Sequence, residues 1–192
     1  MKVGILAIQG DYLLHKNILD SLSIDNIYVR TKYELKQCRA LILPGGESTT
    51  MSLLLNKFNL FNSIVDFSKK HSLFGTCAGS ILMSKNSNDS RIKNINCIDL
   101  NTLRNSWGKQ VDSFSDYVEL SSSINICENK EIYSTFIRAP KFSNISKSCT
   151  ILGEYKGEPV LVRNKKHLVS SFHPELDDSY CIYEYFLEMI NE

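Results

Sequence analysis

The sequence predicts an α/β fold, and three observations carry the expectation. Short apolar runs alternate with longer amphipathic ones through the first half, the pattern of parallel strands joined by crossover helices. The apolar run at 40–43 stops at Pro44-Gly45-Gly46 and helical spacing follows it, as in a strand-turn-helix unit. The second half carries several short β-rich runs, so an antiparallel part is expected beside a parallel sheet.

Taken in order, residues 3–8 (VGILAI) fit a strand buried on both faces. Leu14, Ile18 and Leu22 then fall four apart on one helical face, and 27–30 reads as the second strand. Residues 40–43 read as a buried third strand, after which Met51, Leu54 and Leu55 lie at helical spacing. Phe61, Ile64 and Val65 extend the periodicity to Lys69-Lys70, whose cations suit a helix C-terminus. Residues 73–76 lead as a strand into a glycine-flanked cysteine. Further strands are expected at 134–137, 149–155, 159–163 and 168–172, with Lys156-Gly157 as a hairpin turn. A last helix should begin near 177–179 and bury Ile182, Phe186, Met189 and Ile190, while the polar stretch 86–96 reads as loop.

The 192 residues show no repeat or linker, so one domain over 1–192 is expected. Hydrophobic residues at 43%, charged residues at 22% and a net charge of +1 give no electrostatic reason to bind nucleic acid or an anionic membrane. The six cysteines (38, 77, 97, 127, 149, 181) are 20 residues or more apart and form no C-x-x-C. They suggest neither a zinc site nor a compact disulfide framework, and they fit a reducing cytosol. The apolar start is too short to span a membrane and ends at Gly10-Asp11 without a cleavage pattern, so a cytoplasmic location is expected. No metal and no cofactor is expected.

Gly75-Thr76-Cys77-Ala78-Gly79 lies between an apolar run and a helical one, which reads as a nucleophile elbow with a thiol in place of a hydroxyl. In that geometry the glycines permit the tight backbone, and the N–H of Ala78 helps form an oxyanion hole. The plainer alternative for Cys77 is a small buried hydrophobe. A thiol nucleophile needs a base, and of the histidines at 15, 71, 167 and 173 only His173 has a supporting context. His173-Pro174-Glu175 follows an apolar strand, at the edge where open α/β sheets place their sites. Glu175 could orient the ring, and Pro174 biases His173 toward an extended backbone. Alone, H-P-E would read as a solvated turn.

Pro44-Gly45-Gly46-Glu47-Ser48-Thr49 is a glycine turn before a helix start, with Ser and Thr as caps. It lacks the P-loop lysine, so its N–H groups, Gly46 in particular, suit an oxyanion hole shared with Ala78 better than a phosphate cradle. Its plain reading is a type II turn. Arg104 and Arg138 are placed to line a pocket rim, where a guanidinium can bind an amino-acid carboxylate in bidentate fashion; most arginines are solvated surface groups.

Six ordered blocks carry a resemblance: AIQGD at 7–11, LPGGESTT at 43–50, GTCAG at 75–79, RNSWG at 104–108, FIRAP at 136–140 and SFHPEL at 171–176. They closely resemble the glutaminase subunits of pyridoxal 5′-phosphate synthase, which are triad-type (class I) glutamine amidotransferases. The elbow and H-x-E are shared by amidotransferases generally, whereas the other blocks resemble this subfamily. The resemblance implies a three-layer α/β/α, flavodoxin-like sandwich with a mostly parallel central sheet. It implies Cys77 as nucleophile, His173 as acid/base and Glu175 as its orienter. L-glutamine would be held by Gly46, Glu47, Ser48, Arg104, Ile137 and Arg138, and Gln9 would lie near a partner contact. It further implies hydrolysis of L-glutamine through a cysteine thioester, with ammonia passed to a (β/α)₈-barrel synthase that activates the glutaminase.

Three residues depart from the family pattern: Ser80 stands where a larger apolar residue is usual, Leu14 where an acidic residue commonly precedes His15, and Lys109 where arginine is frequent. The rival readings are a glutaminase of another biosynthetic amidotransferase, a related γ-glutamyl hydrolase, and a non-catalytic regulatory subunit of a barrel synthase. RNSWG and FIRAP argue against the first two, and the intact set Cys77, His173 and Glu175 against the third. A generic cysteine peptidase would need an extended peptide groove, of which the sequence gives no sign.

Overall fold

A computed structural model describes residues 1–107, 113–124, 127, 129–177 and 179–191. Its first half alternates strand and helix: β1 (Val3–Leu6), α1 (Tyr12–Ser21), β2 (Asn26–Val29), α2 (Lys32–Lys36), β3 (Ala40–Leu43), α3 (Ser48–Lys57), α4 (Phe61–Ser68), β4 (Ser72–Thr76) and α5 (Ala78–Met83). The second half is strand-rich: β5 (Ser84–Ser87), β6 (Ile98–Leu103), β7 (Phe114–Leu120), β8 (Glu131–Phe136), β9 (Lys141–Ser143), β10 (Thr150–Tyr155), β11 (Glu158–Arg163) and β12 (Leu168–Ser170). Helix α6 (Tyr180–Met189) closes the chain.

The main sheet has the order β2-β1-β3-β4-β12-β11-β10-β7-β8. Strands β2 to β12 in that order are parallel, and β11, β10, β7 and β8 continue as an antiparallel extension. A smaller sheet, β5-β6-β9, stands apart. Because side chains alternate along a strand, β1 and β3 feed two cores. Val3, Ile5, Ala40 and Ile42 join a cluster that takes in Ile18 and Leu19 of α1 and Ile182, Tyr183 and Phe186 of α6. Leu6, Leu41 and Leu43 join the other, with Met51 and Leu55 of α3, Ile64 of α4 and Ile81 and Leu82 of α5. Helices thus cover both faces of the parallel strands, as expected of α/β class.

Several local expectations are corrected. The buried stripe of α1 is His15, Ile18 and Leu19, with Leu14 and Leu22 only part-buried. Helix α3 is capped by Glu47, whose carboxylate accepts from the Thr49 and Thr50 N–H groups, so Ser48 and Thr49 are already inside the helix. Strand β5 takes in part of the stretch 86–96 expected as loop, and α2, β6, β7 and β9 are elements that the sequence patterns do not announce. Helix α2 is five residues long, held by a Thr31–Glu34 capping box. The Lys156-Gly157 hairpin turn is present, with φ of 50° and 75° at its two residues. The cysteines are not all free: Cys127 and Cys181, 54 residues apart, are joined. The fold brings the β7–β8 connection to the first turn of α6, a proximity that sequence spacing does not reveal.

Candidate active site

Parallel strands leave the sheet on one edge, and the sequence blocks are the loops at that edge: Gln9-Gly10 after β1, Gly45-Gly46 after β3, Cys77 after β4 and His173 after β12. Strand β12 lies beside β4 with Ser170 opposite Thr76, so the chain reaches Cys77 and His173 at the same level of adjacent strands. The Cys77 N–H donates to Ser170 O at 2.9 Å and the His173 N–H to Thr135 O at 2.9 Å, which fixes both backbones.

Cys77 has φ 45° and ψ −103°, a backbone that non-glycine residues rarely adopt. The strain of the elbow therefore sits on Cys77 itself. The flanking glycines serve a different purpose from the one their motif suggests: they provide space. A Cβ on Gly79 would lie 2.0 Å from Leu43 O, so glycine there lets α5 pack directly on β3. Ser80 Oγ donates to Cys77 O at 2.6 Å, so this departure from the family pattern braces the elbow. The buried thiol faces Ile137 O at 3.6 Å.

His173 Nδ1 and Glu175 Oε1 are 2.7 Å apart, and both side chains are buried. Burial favours the neutral ring, but the contacts with Cys77 and Glu175 outweigh it and raise the His173 pKa. Burial also pushes Glu175 up, yet His15 and His173 more than offset it and its pKa is lowered. His173 Nε2 has no hydrogen-bond partner among the described residues, which leaves it available for proton exchange with the thiol or a substrate atom. Gly45 makes room for the ring: a Cβ there would fall 2.4 Å from His173 Cε1. Behind Glu175 lies a fully buried histidine, His15, with Tyr183 on its far side. Neither is signalled by the sequence, because a histidine on a helix face and a tyrosine in an apolar helix carry no motif.

A cavity of about 230 Å³ opens over the thiol, lined by Gln9, Gly46, Glu47, Ser48, Cys77, Ala78, Arg104, Ile137, Arg138 and His173 among others. Every glutamine-contact residue expected from the resemblance lies on this wall, as do both residues expected to form the oxyanion hole. Gln9 Oε1 accepts the Glu47 N–H at 2.9 Å, which ties the β1 loop to the glycine turn. Arg104 is not an isolated cation: Nη1 pairs with Asp89 and Nη2 reaches Glu47 Oε1 at 3.0 Å. Asp89 lies in the stretch expected as loop and has no sequence signal. Burial pushes Glu47 up, but hydrogen bonds from Thr49 and Thr50 prevail and hold its pKa at about 2. Arg138 has φ 44°. Lys109 lies outside the described residues. Asp11, His173 and Glu175 place one donor atom each within 4.8 Å of one another, but two of the three already form the His–Glu contact.

The arrangement defines a class: a thiol on a strained strand-to-helix turn, a buried His–Glu pair beside it and a pocket of amino-acid size, on a doubly wound α/β sheet. Solved structures with this fold bear out the class. A crystal structure of a glutamine amidotransferase superposes with a TM-score of 0.90 at 36% identity, covering 99% of each chain. A glutamine amidotransferase from Thermotoga maritima has a TM-score of 0.62 at 16% identity, over 98% of this chain and 84% of that one, a likeness of fold alone. The sequence pattern of the SNO glutamine amidotransferase family matches residues 5–192, and the chain belongs to that family. It is similar to the pyridoxal 5′-phosphate synthase subunit PdxT of Francisella tularensis subsp. tularensis, 42% identical over 188 residues and 98% of each chain. The subunit of the same name from subsp. novicida is equally similar, at 42% over 98% of each chain.

Proposed function

We propose that Cys77, His173 and Glu175 hydrolyse the side-chain amide of L-glutamine, and that the protein does so as the glutaminase subunit of pyridoxal 5′-phosphate synthase. The observation that carries the chemistry is the 2.7 Å His173–Glu175 contact beside the elbow thiol. Full-length similarity to the PdxT subunits, at 42% identity, carries the assignment to this synthase.

The thiol proton passes to His173 and the thiolate attacks the carboxamide carbon, forming the C–S bond. The oxyanion is met by the N–H groups of Ala78 and the Gly46 turn. Collapse breaks the C–N bond as His173 returns the proton to nitrogen, and ammonia leaves. Water, deprotonated by His173, then attacks the γ-glutamyl thioester and releases glutamate and the thiol. Glu175 holds the ring and supports its cationic form throughout. Gly46, Glu47, Ser48, Arg104, Ile137 and Arg138 hold the substrate. Ammonia in bulk water would be protonated and lose its nucleophilicity, which favours direct delivery to a barrel-shaped synthase subunit docked near Gln9. The proposed location is cytoplasmic, and the joined pair Cys127–Cys181 is the one observation that runs against it.

The test is glutamate release from L-glutamine by this chain, alone and with a purified barrel-type synthase subunit. Release that rises with the synthase, and disappears in Cys77→Ala, is expected. Turnover indifferent to the synthase would remove the partner assignment, and an unchanged Cys77→Ala rate the mechanism.

A further inference from the structure

We propose that His15, its tautomer set by Tyr183, is a positioning residue that keeps Glu175 ionised beneath His173, extending the triad by two buried side chains. The inference rests on the glutaminase reading above and deepens it.

His15 and Tyr183 are fully buried, one on α1 and the other on α6, on the same face of the sheet. The Tyr183 hydroxyl lies 2.7 Å from His15 Nδ1, the one partner found for it among the described residues. A buried hydroxyl proton needs an acceptor, so Tyr183 donates and Nδ1 carries no proton. With Nδ1 accepting from Tyr183, the ring is neutral and its single proton is on Nε2, and burial acts in the same direction by lowering the His15 pKa against the pull of Glu175. That N–H faces Thr76 Oγ1 at 3.3 Å and Glu175 Oε1 at 3.6 Å. The second distance is longer than a hydrogen bond but well within electrostatic reach in a dry interior.

Glu175 depends on this contact because it has few others. Its Oε2 has no hydrogen-bond partner among the described residues, and Oε1 is the atom that both histidines approach. A carboxylate removed from water takes up a proton unless neighbours oppose it. The titratable groups that face the cluster are Asp11 before α1, His15, Cys77 after β4, His173 and Tyr183. With His15 neutral, His173 is the one histidine cation that faces Glu175. A second histidine cation would compete for the carboxylate; a neutral N–H supports it without doing so. A histidine that merely filled space would leave the protonation of Glu175 unchanged, which separates the two roles.

The test uses the full chain with His15→Leu, His15→Gln and Tyr183→Phe. Two pH profiles are recorded: iodoacetamide labelling of the Cys77 peptide, read by mass spectrometry without glutamine or synthase, and glutaminase kcat/KM with the synthase. Without the His15 N–H, Glu175 takes up a proton at higher pH, and the thiolate–imidazolium pair that needs its charge is lost at that higher pH. The acid limb of both profiles should therefore move up by about one pH unit in His15→Leu. His15→Gln, which keeps an N–H donor near the Nε2 position, should recover most of the shift, and Tyr183→Phe should fall between. Folded variants whose profiles superimpose on the wild type would overturn the proposal. If His15→Leu does not fold, Tyr183→Phe and His15→Gln decide on the same readouts. A wild-type chain that releases no glutamate and labels without an acid limb would overturn the triad reading itself, and this proposal with it.

Discussion

Arg104 Nη2 lies 3.0 Å from Glu47 Oε1 across the mouth of the pocket, with Asp89 holding the other arm of the guanidinium. Zwitterionic glutamine carries both an α-carboxylate and an α-ammonium near neutral pH, and in the proposed function a paired Arg104 and Glu47 offer one partner to each. A planar fork held by two carboxylates is something lysine cannot reproduce. Arg104→Lys should raise KM for L-glutamine by roughly 10- to 100-fold, the cost of losing charge-assisted hydrogen bonds, with a smaller effect on kcat. Steady-state kinetics with the synthase present measures this; an unchanged KM would place the substrate head group elsewhere.

Gly79 is a case where packing and helix propensity point in opposite directions. Alanine in a helix is usually favoured over glycine by about 1 kcal/mol. Here a Cβ would lie 2.0 Å from Leu43 O and 2.7 Å from Leu43 C, both backbone atoms of β3, so α5 must move. Overpacking of this kind costs about 3 kcal/mol or more, which exceeds the propensity gain. Gly79→Ala should lower Tm by roughly 4–10 °C. Ser80→Ala loses only the 2.6 Å hydrogen bond to Cys77 O and should cost about 1 kcal/mol, or roughly 2–4 °C. Thermal melts of the two variants side by side check the ordering.

What can be read from sequence follows from what is local. Strand β3 matches its expected bounds at both ends, because a run of four apolar residues cut by Pro-Gly-Gly admits little else. Cys77, His173 and Glu175 are legible because each sits on a motif with its own backbone geometry. Strands β6 and β7 escape notice because their polar and apolar residues alternate, a weaker signal than a solid apolar run. Long-range pairs are hidden for a different reason. Asp89 meets Arg104 across 15 positions, and Tyr183 meets His15 across 168, so only the folded chain brings them together. For the glycines of the elbow the motif explains only part: it suggests torsional freedom, and the structure uses them for clearance.

His167 should make the fold sensitive to acid in a range where most carboxylates are still ionised. It is buried at the start of β12, and its Nδ1 accepts the Leu73 N–H at 3.2 Å. A proton on Nδ1 would end that bond, and burial, helped by Lys166, lowers the pKa to about 4. In the unfolded chain an ordinary histidine titrates near 6.5, so unfolding takes up a proton at any pH between the two values. Stability must then fall as pH drops from about 6.5 toward about 4, by on the order of 3 kcal/mol for this group. His167→Asn places an amide oxygen where Nδ1 was, keeping the acceptor for Leu73 while removing the titration. Chemical denaturation at pH 7 and at pH 4.5 should show the wild type losing more stability than His167→Asn. Part of the acid sensitivity should remain in the variant, because His15 has a lowered pKa as well. Parallel losses in the two proteins would mean that His167 does not govern this range.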